Sequence, residues 1–175
     1  MKISYSAKVR NFLIPSKQFN IYFFLYYRKL FCIFVPTMNQ KQDITKLSKR
    51  TLKKYNKLLY VLCRAHLGKT RQHLQLWTCK DNGQDWWGEY CPERKIIRLY
   101  PHTCKTLYKY VKTFIHEYTH AKQWGLATNY VKMDVLYGYR RNPFEVEARK
   151  NEKVLGPIIW KEFKQAMSSH TSQLL

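Results

Sequence analysis

Apolar and polar positions alternate along the chain in two different periods, which together predict an α+β fold. From Asp43 to about His66 the apolar residues recur at helical spacing and basic residues fill the other face, so we expect an amphipathic helix that ends at Gly68. Shorter segments with strand-like alternation follow, separated by turn signals. They predict a small, mostly antiparallel three-stranded sheet, with strands at 73–79, 86–91 and 95–100.

Helical spacing returns from about Thr103 to Trp124, and Gly125 is placed to end that helix. A connection of about sixteen residues follows, which is long for a compact domain and often marks a functional loop. The helix should lie against the sheet and present one apolar face to it.

A last helix is predicted to begin at Asn142-Pro143, because asparagine caps free backbone N–H groups and proline fits the first helical turn. Gly156-Pro157 should kink or break this helix, since proline removes a backbone hydrogen bond. A further helical stretch is expected to reach about Ala166.

The first 37 residues differ in character from the rest. Residues 21–35 are aromatic and apolar, but Arg28 and Lys29 interrupt them, so neither run reaches the roughly 20 apolar residues of a transmembrane span. No transmembrane span is therefore expected, whereas association with a membrane surface is an alternative. The expected organisation is a dispensable or membrane-surface extension at 1–37, a single domain at 38–166 and a frayed tail at 167–175.

The formal net charge is +21, and all 11 acidic residues follow Thr37. From Met38 onward the net charge is still +15, which makes nucleic acid a candidate partner. The five cysteines are odd in number and form no Cys-x-x-Cys pair, as expected of a cytoplasmic protein in a reducing compartment. Nothing in the sequence indicates an oligomeric state.

The central motif is H-E-Y-T-H at 116–120, within the predicted second helix. His116 and His120 are four residues apart and therefore lie on one helical face, where both imidazoles can reach one metal ion. Glu117 can then take a proton from a metal-bound water. The motif predicts one Zn²⁺, two histidine ligands and Glu117 as general base.

A catalytic zinc usually has three protein ligands, and no later histidine is suitably spaced. Two glutamates of the last helix are candidates. Glu145 stands three residues after Asn142, where a capping box places a glutamate. Glu147 falls nearer the apolar side, beside the small Ala148. The sequence therefore predicts Glu147 as the third ligand, with Glu145 as helix cap, neighbour of the site or alternative ligand.

The HExxH motif followed by a helical Glu147-Ala148 resembles the gluzincin group of zincin metallopeptidases, and most closely the compact IrrE/ImmA-like and phage-type minimal zincins. The resemblance covers roughly residues 70–160, including W-G-E-Y at 87–90 and N-P-F-E-V-E-A-R at 142–149. It implies a small sheet beside the motif helix and one zinc ion. Size and basic charge also resemble SprT-like proteases, whose third histidine this chain lacks.

The functional hypothesis is a zinc metallopeptidase that hydrolyses a peptide or protein substrate. A predicted edge strand could pair with an extended substrate, and tyrosines after the motif could stabilise an oxyanion. The candidates are Trp87, Gly88 and Tyr90 for the strand, and Tyr130, Tyr137 and Tyr139 for the oxyanion. The alternatives are a catalytically silent zincin fold that binds or regulates, and a nucleic-acid-associated SprT-like protease.

Overall fold

The computed structural model describes residues 39–79 and 85–168, so the N-terminal extension and the end of the tail lie outside it. The described residues confirm the α+β class. No helix among them combines the length and apolarity needed to cross a membrane. The elements are α1 Lys49–Leu67, β1 Gln75–Thr78, β2 Gly88–Cys91, β3 Ile96–Leu99, α2 Pro101–Cys104, α3 Leu107–Lys122, α4 Leu126–Tyr137 and α5 Pro143–Ser168.

The first helix begins later than the sequence predicts. Asp43 caps only a short 3₁₀ turn, where its carboxylate accepts a hydrogen bond from the Thr45 backbone. Ser48 then caps α1 by accepting a hydrogen bond from the Thr51 N–H at 3.1 Å. The predicted end of the helix at Gly68 is confirmed. The apolar stripe is buried in the core, as expected, through Leu52, Tyr55, Leu58, Leu59 and Leu62.

The sheet has the strand order β1-β3-β2 and is mixed rather than mostly antiparallel. The β2–β3 hairpin is antiparallel, as predicted, with Gly88 opposite Leu99. The expectation is wrong for β1, which pairs in parallel with β3. Burial explains the order, because β3 is the most apolar strand and its Ile96, Ile97 and Leu99 are almost fully buried. It takes the centre and leaves β1 and β2 as edges.

The motif helix is shorter than expected at both ends. Thr106 caps α3 by accepting from the Lys109 N–H, and the preceding residues form the separate short helix α2. Gly125, with φ of +74°, separates α3 from a helix that the sequence did not reveal, since the expected loop contains α4. Only Leu126 of α4 is buried, and apolar residues lie on most sides of the helix, so no single apolar stripe in the sequence indicates it.

The last helix begins as predicted, with Asn142 accepting from the Phe144 N–H and Pro143 in the first turn. The predicted break at Gly156-Pro157 is wrong, because α5 continues as one helix of 26 residues. Gly156 has no side chain and fits against α3, while Ile159 and Phe163 beyond it are fully buried. Packing of the second half therefore outweighs the missing proline hydrogen bond.

A Gly88→Ala substitution should lower the free energy of unfolding by about 1–3 kcal/mol, because a Cβ there overpacks the core. It would lie 2.7 Å from Thr113 Cγ2 and 3.1 Å from the backbone oxygen of Arg98. The matched control is Gly156→Ala, whose Cβ would make ordinary contacts, 3.4 Å from the flexible Lys112 side chain and 3.6 Å from the Tyr108 hydroxyl. The control should change stability by less than about 1 kcal/mol. Urea unfolding followed by circular dichroism measures both, and equal effects would contradict the close β2–α3 approach.

Candidate metal centre

Helices α3 and α5 bring two histidines and one glutamate together. The Nε2 atoms of His116 and His120 are 3.2 Å apart. The Glu145 carboxylate spans the pair, with Oε2 3.3 Å from His116 Nε2 and Oε1 3.2 Å from His120 Nε2. Each of these residues offers an atom that could hold a metal ion. The predicted histidine pair therefore does converge on one point, and a carboxylate from the last helix joins it.

Each imidazole is also held at its other ring nitrogen. His116 Nδ1 lies 3.3 Å from Glu152 Oε2, and His120 Nδ1 lies 2.8 Å from Gln123 Oε1. A carbonyl or carboxylate oxygen only accepts hydrogen bonds, so Nδ1 must donate in both pairs. A neutral ring then keeps its lone pair on Nε2, the atom that faces the shared point. Such partners orient metal-binding histidines and fix their tautomer.

Glu145 is buried and surrounded by donors. The Tyr130 hydroxyl donates to Oε1 at 2.9 Å, and Arg149 approaches Oε2 at 3.5 Å. Burial alone would raise the pKa of this carboxyl, but hydrogen bonds from His116 and His120 hold it well below the usual range. Glu145 is therefore a carboxylate at neutral pH.

The structure places Glu145, and not Glu147, beside the histidines, so the expected side-chain placement is wrong. Glu147 is exposed and accepts a hydrogen bond from Gln123 Nε2 at 3.0 Å. Its expected helical face was inferred from the nearby Phe144 and Ala148. The face of α5 that packs on α3 instead follows the buried residues, which are Glu145, Ala148, Gly156, Ile159 and Phe163.

Glu117 is buried beside the histidines and lines the adjoining cleft. Burial raises the pKa of this carboxyl, and the nearby His116 and His120 offset only part of that increase. Its side chain makes no hydrogen bond or ion pair with any residue in the described ranges. A buried carboxylate without a partner is costly to folding, which is typical of groups kept for function.

Two of the three candidate tyrosines lie at the site. Tyr130 contacts the ring of His120 as well as Glu145. Tyr139 lines the cleft, and burial together with the Glu145 charge raises the pKa of its phenol. Tyr137 is exposed and does not line the cleft. The structure thus separates Tyr137 from the other two.

His116, His120 and Glu145 line a cleft of about 1320 Å³ between β2 and α4. Trp87, Gly88 and Tyr90, the residues expected to contact an extended substrate, line the β2 wall. Lys109 Nζ lies 3.4 Å from the centre of the Trp87 ring, which holds the indole in place. More than half of the acidic residues of this basic chain line the cleft, and they are Asp85, Glu89, Glu93, Glu117, Glu145 and Glu152. The cleft is therefore suited to a cation.

Sequence reasoning missed Glu152 and Gln123, the residues that orient the imidazoles. Glu152 also forms an ion pair with Lys112 at 2.8 Å, and Gln123 donates to the Phe144 carbonyl at 2.8 Å. Glu145 and Glu152 are seven residues apart, so they share one helical face. That spacing was the signal in the sequence that could have indicated both glutamates together.

Comparison with known proteins adds no name to this site. A scan against protein families and searches of curated proteins and of solved structures found no match. The resemblance to minimal zincins therefore stays a prediction, and the centre is defined by the geometry of α3 and α5.

We expect Glu145→Gln to weaken binding of a divalent metal more than about a hundredfold, because loss of even an orienting partner costs about 10–100-fold. The matched control, Glu147→Gln, keeps a carbonyl oxygen that can accept from Gln123 and should bind metal within a few-fold of the wild type. Competition with a coloured chelator measures both affinities. Loss of metal in Glu147→Gln with retention in Glu145→Gln would contradict the assignment.

Metal binding should release protons. Burial lowers the pKa of His116, but hydrogen bonds to Glu145 and Glu152 outweigh it and raise that pKa to about 9 in the metal-free protein. A protonated imidazole cannot hold a metal ion, so affinity should be fully developed above pH 9 and fall about tenfold per pH unit below it.

Calorimetry in buffers of different ionisation heat measures this release. About one proton per ion is expected near pH 7 from His116, with fewer above pH 9. In Glu152→Gln one of the groups that raise the His116 pKa is lost, so release at pH 8 should diminish. Metal uptake without proton release at pH 7 would show that the histidine is already neutral.

Proposed function

We propose that this chain is a zinc-dependent metallopeptidase, with His116, His120 and Glu145 holding one Zn²⁺ and Glu117 as general base. The observation that supports it most is the convergence of two imidazole nitrogens and a carboxylate next to a buried, unpartnered glutamate. Convergence alone supports metal binding. The glutamate beside it supports catalysis, because a purely structural metal site has no need of a free base.

The donor set fits zinc. Two histidines and one glutamate form a common set for catalytic zinc, which leaves a fourth position open. Tetrahedral ligands about 2.0 Å from an ion lie about 3.3 Å from one another. The two imidazole Nε2 atoms are 3.2 Å apart, and each lies 3.2–3.3 Å from a different oxygen of Glu145, so the carboxylate would turn to present one oxygen, or both, to an ion between the rings. Calcium and magnesium prefer oxygen donors and are poorer candidates.

Zinc in this position supplies a water of lowered pKa and polarises a bound carbonyl. Glu117 lies on the cleft side, where its carboxylate can take the proton of the attacking water and pass it to the leaving amine. Its raised pKa suits the first step, because a stronger base accepts the proton more readily. Tyr130 and Tyr139 are the candidates that could donate to the oxygen of the substrate carbonyl.

An extended peptide is the substrate class that fits the cleft best. Among the described residues, strand β2 pairs with β3 along one edge and with no strand along the other, and its residues line the cleft. A peptide lying beside β2 could pair with the free backbone groups as an additional strand. Trp87 and Tyr90 would then border the scissile region.

A catalytically silent binding protein is the second candidate. It is favoured by the way the metal-free residues satisfy one another, since His116 contacts both Glu145 and Glu152. Ion pairs of this kind can stabilise a fold without any chemistry. Nucleic acid also stays a candidate partner, because α1 contains no acid and exposes several bases, among them Lys49, Arg50, Lys53 and Lys57.

A Glu117→Gln variant separates these candidates. It should keep the zinc, since Glu117 is not among the three donors, and it should lose about 10²–10⁴-fold in peptide hydrolysis because it cannot accept a proton. The matched control is Glu93→Gln, which changes an exposed acid of the same cleft. Zinc content and cleavage of a peptide library measure the two properties. Equal cleavage by the variant and the wild type would exclude Glu117 as the base.

A further inference from the structure

Helix α4 is apolar on most of its surface and yet is buried at only one residue, Leu126. Val131 is 73% exposed and Val135 is 80% exposed, and Leu136 beside them is also mostly exposed. A helix that is apolar around its circumference is normally surrounded by other protein or by lipid. Contacts with α5 do not cover these side chains. The exposed face of α4 therefore requires a partner.

The surroundings of α4 indicate which chemistry that partner has. Trp124 precedes the helix and is 77% exposed, while Tyr137 and Tyr139 stand exposed at its other end. Tryptophan and tyrosine favour the boundary between lipid chains and head groups, because their rings are apolar and their N–H or O–H groups are polar.

Basic residues are found on α4 and directly after it. Lys132, Arg140 and Arg141 are exposed around it. The one acid of α4, Asp134, turns a carboxylate oxygen into the interior, where that oxygen has no hydrogen-bond partner among the described residues. An apolar helix with bases beside it is the usual composition of a helix that lies on an anionic membrane surface.

We propose that α4 docks on an anionic lipid bilayer, with Val131, Val135 and Leu136 inserted between the head groups. Tyr130, Val131 and Tyr139 also line the cleft, so docking sets the cleft mouth at the lipid surface. The chain would then act on or bind segments that emerge from a membrane. The proposal concerns the outer face of α4 and does not require the metal centre to be active.

Charge argues against the other occupants of this face. A second copy of the chain would bring the same Lys132, Arg140 and Arg141 against themselves across a two-fold axis. A nucleic-acid interface needs lysine and arginine side chains rather than aliphatic ones along the contact. Helix α1 has that composition and α4 does not. A lipid surface is the partner that accepts both the valines and the positive charge.

The test is co-sedimentation of the full chain with vesicles. One set contains phosphatidylcholine alone, and the other contains equal amounts of phosphatidylcholine and phosphatidylglycerol. The variant Val135→Gln/Leu136→Gln removes apolar surface without changing charge and keeps a residue type compatible with a helix. The matched control is Val154→Gln/Ile158→Gln, two exposed apolar residues of α5.

The wild type and the control should sediment with the anionic vesicles and hardly with the neutral ones. The α4 variant should lose binding on the order of a hundredfold, because two aliphatic side chains no longer leave water. Its circular dichroism spectrum checks that α4 is still folded.

Two results would overturn the proposal. Equal binding of the α4 variant and the wild type would mean that another part of the chain, such as the basic α1 or the extension at 1–37, holds the vesicle. Absence of binding to anionic vesicles by the folded wild type would mean that another partner covers α4.

Discussion

The contact between α3 and α5 is the constraint on which the site depends. The helices α3 and α5 pack against each other, and this packing buries Glu145 beside two imidazoles. Burying a carboxylate costs free energy unless charged partners surround it. The helix contact is therefore stable only while His116 and His120 stay paired with the Glu145 carboxylate. Core packing and site geometry are the same feature of this molecule.

The distribution of charge adds a second constraint. The chain as a whole carries +21, yet six of its 11 acids gather in the cleft. Carboxylates brought together repel one another, so such a cluster persists only where cations or protons relieve it. Lys112 and Arg149 relieve part of it through Glu152 and Glu145. The remaining negative charge of Glu145, Glu152 and Glu117 favours the protonated form of His116, and the pKa of His116 is raised for that reason.

Local patterns predicted those parts of the fold that local physics decides. The cap at Asn142-Pro143, the end of α1 at Gly68 and the β2–β3 hairpin follow from hydrogen bonds and backbone preferences of neighbouring residues. The pairing of β1 with β3 does not, since it joins segments some twenty residues apart and depends on which strand is most buried. Helix α4 is apolar on most sides, so it lacks the contrast between an apolar and a polar face that indicates an amphipathic helix.

The histidine pair was predictable because its spacing is set within one helix, whereas the choice between Glu145 and Glu147 was not. Which glutamate faces α3 depends on the rotation of α5 about its axis. That rotation is fixed by Ile159 and Phe163, which lie beyond Gly156-Pro157. A predicted break at Gly156-Pro157 separates the N-terminal half of α5, with both glutamates, from Ile159 and Phe163. The buried face of the second half then no longer indicates which glutamate of the first half faces α3.

The metal-free centre also explains why the same residues suit a divalent cation. The high pKa of His116 and the low pKa of Glu145 have one cause, since each charge favours the other. The proton on the His116 imidazole supplies positive charge beside Glu145, Glu117 and Glu152. An ion at the shared point would supply it instead and free the imidazole lone pairs to bind it. Glu117, which has no hydrogen-bond partner of its own among the described residues, gains most from that exchange.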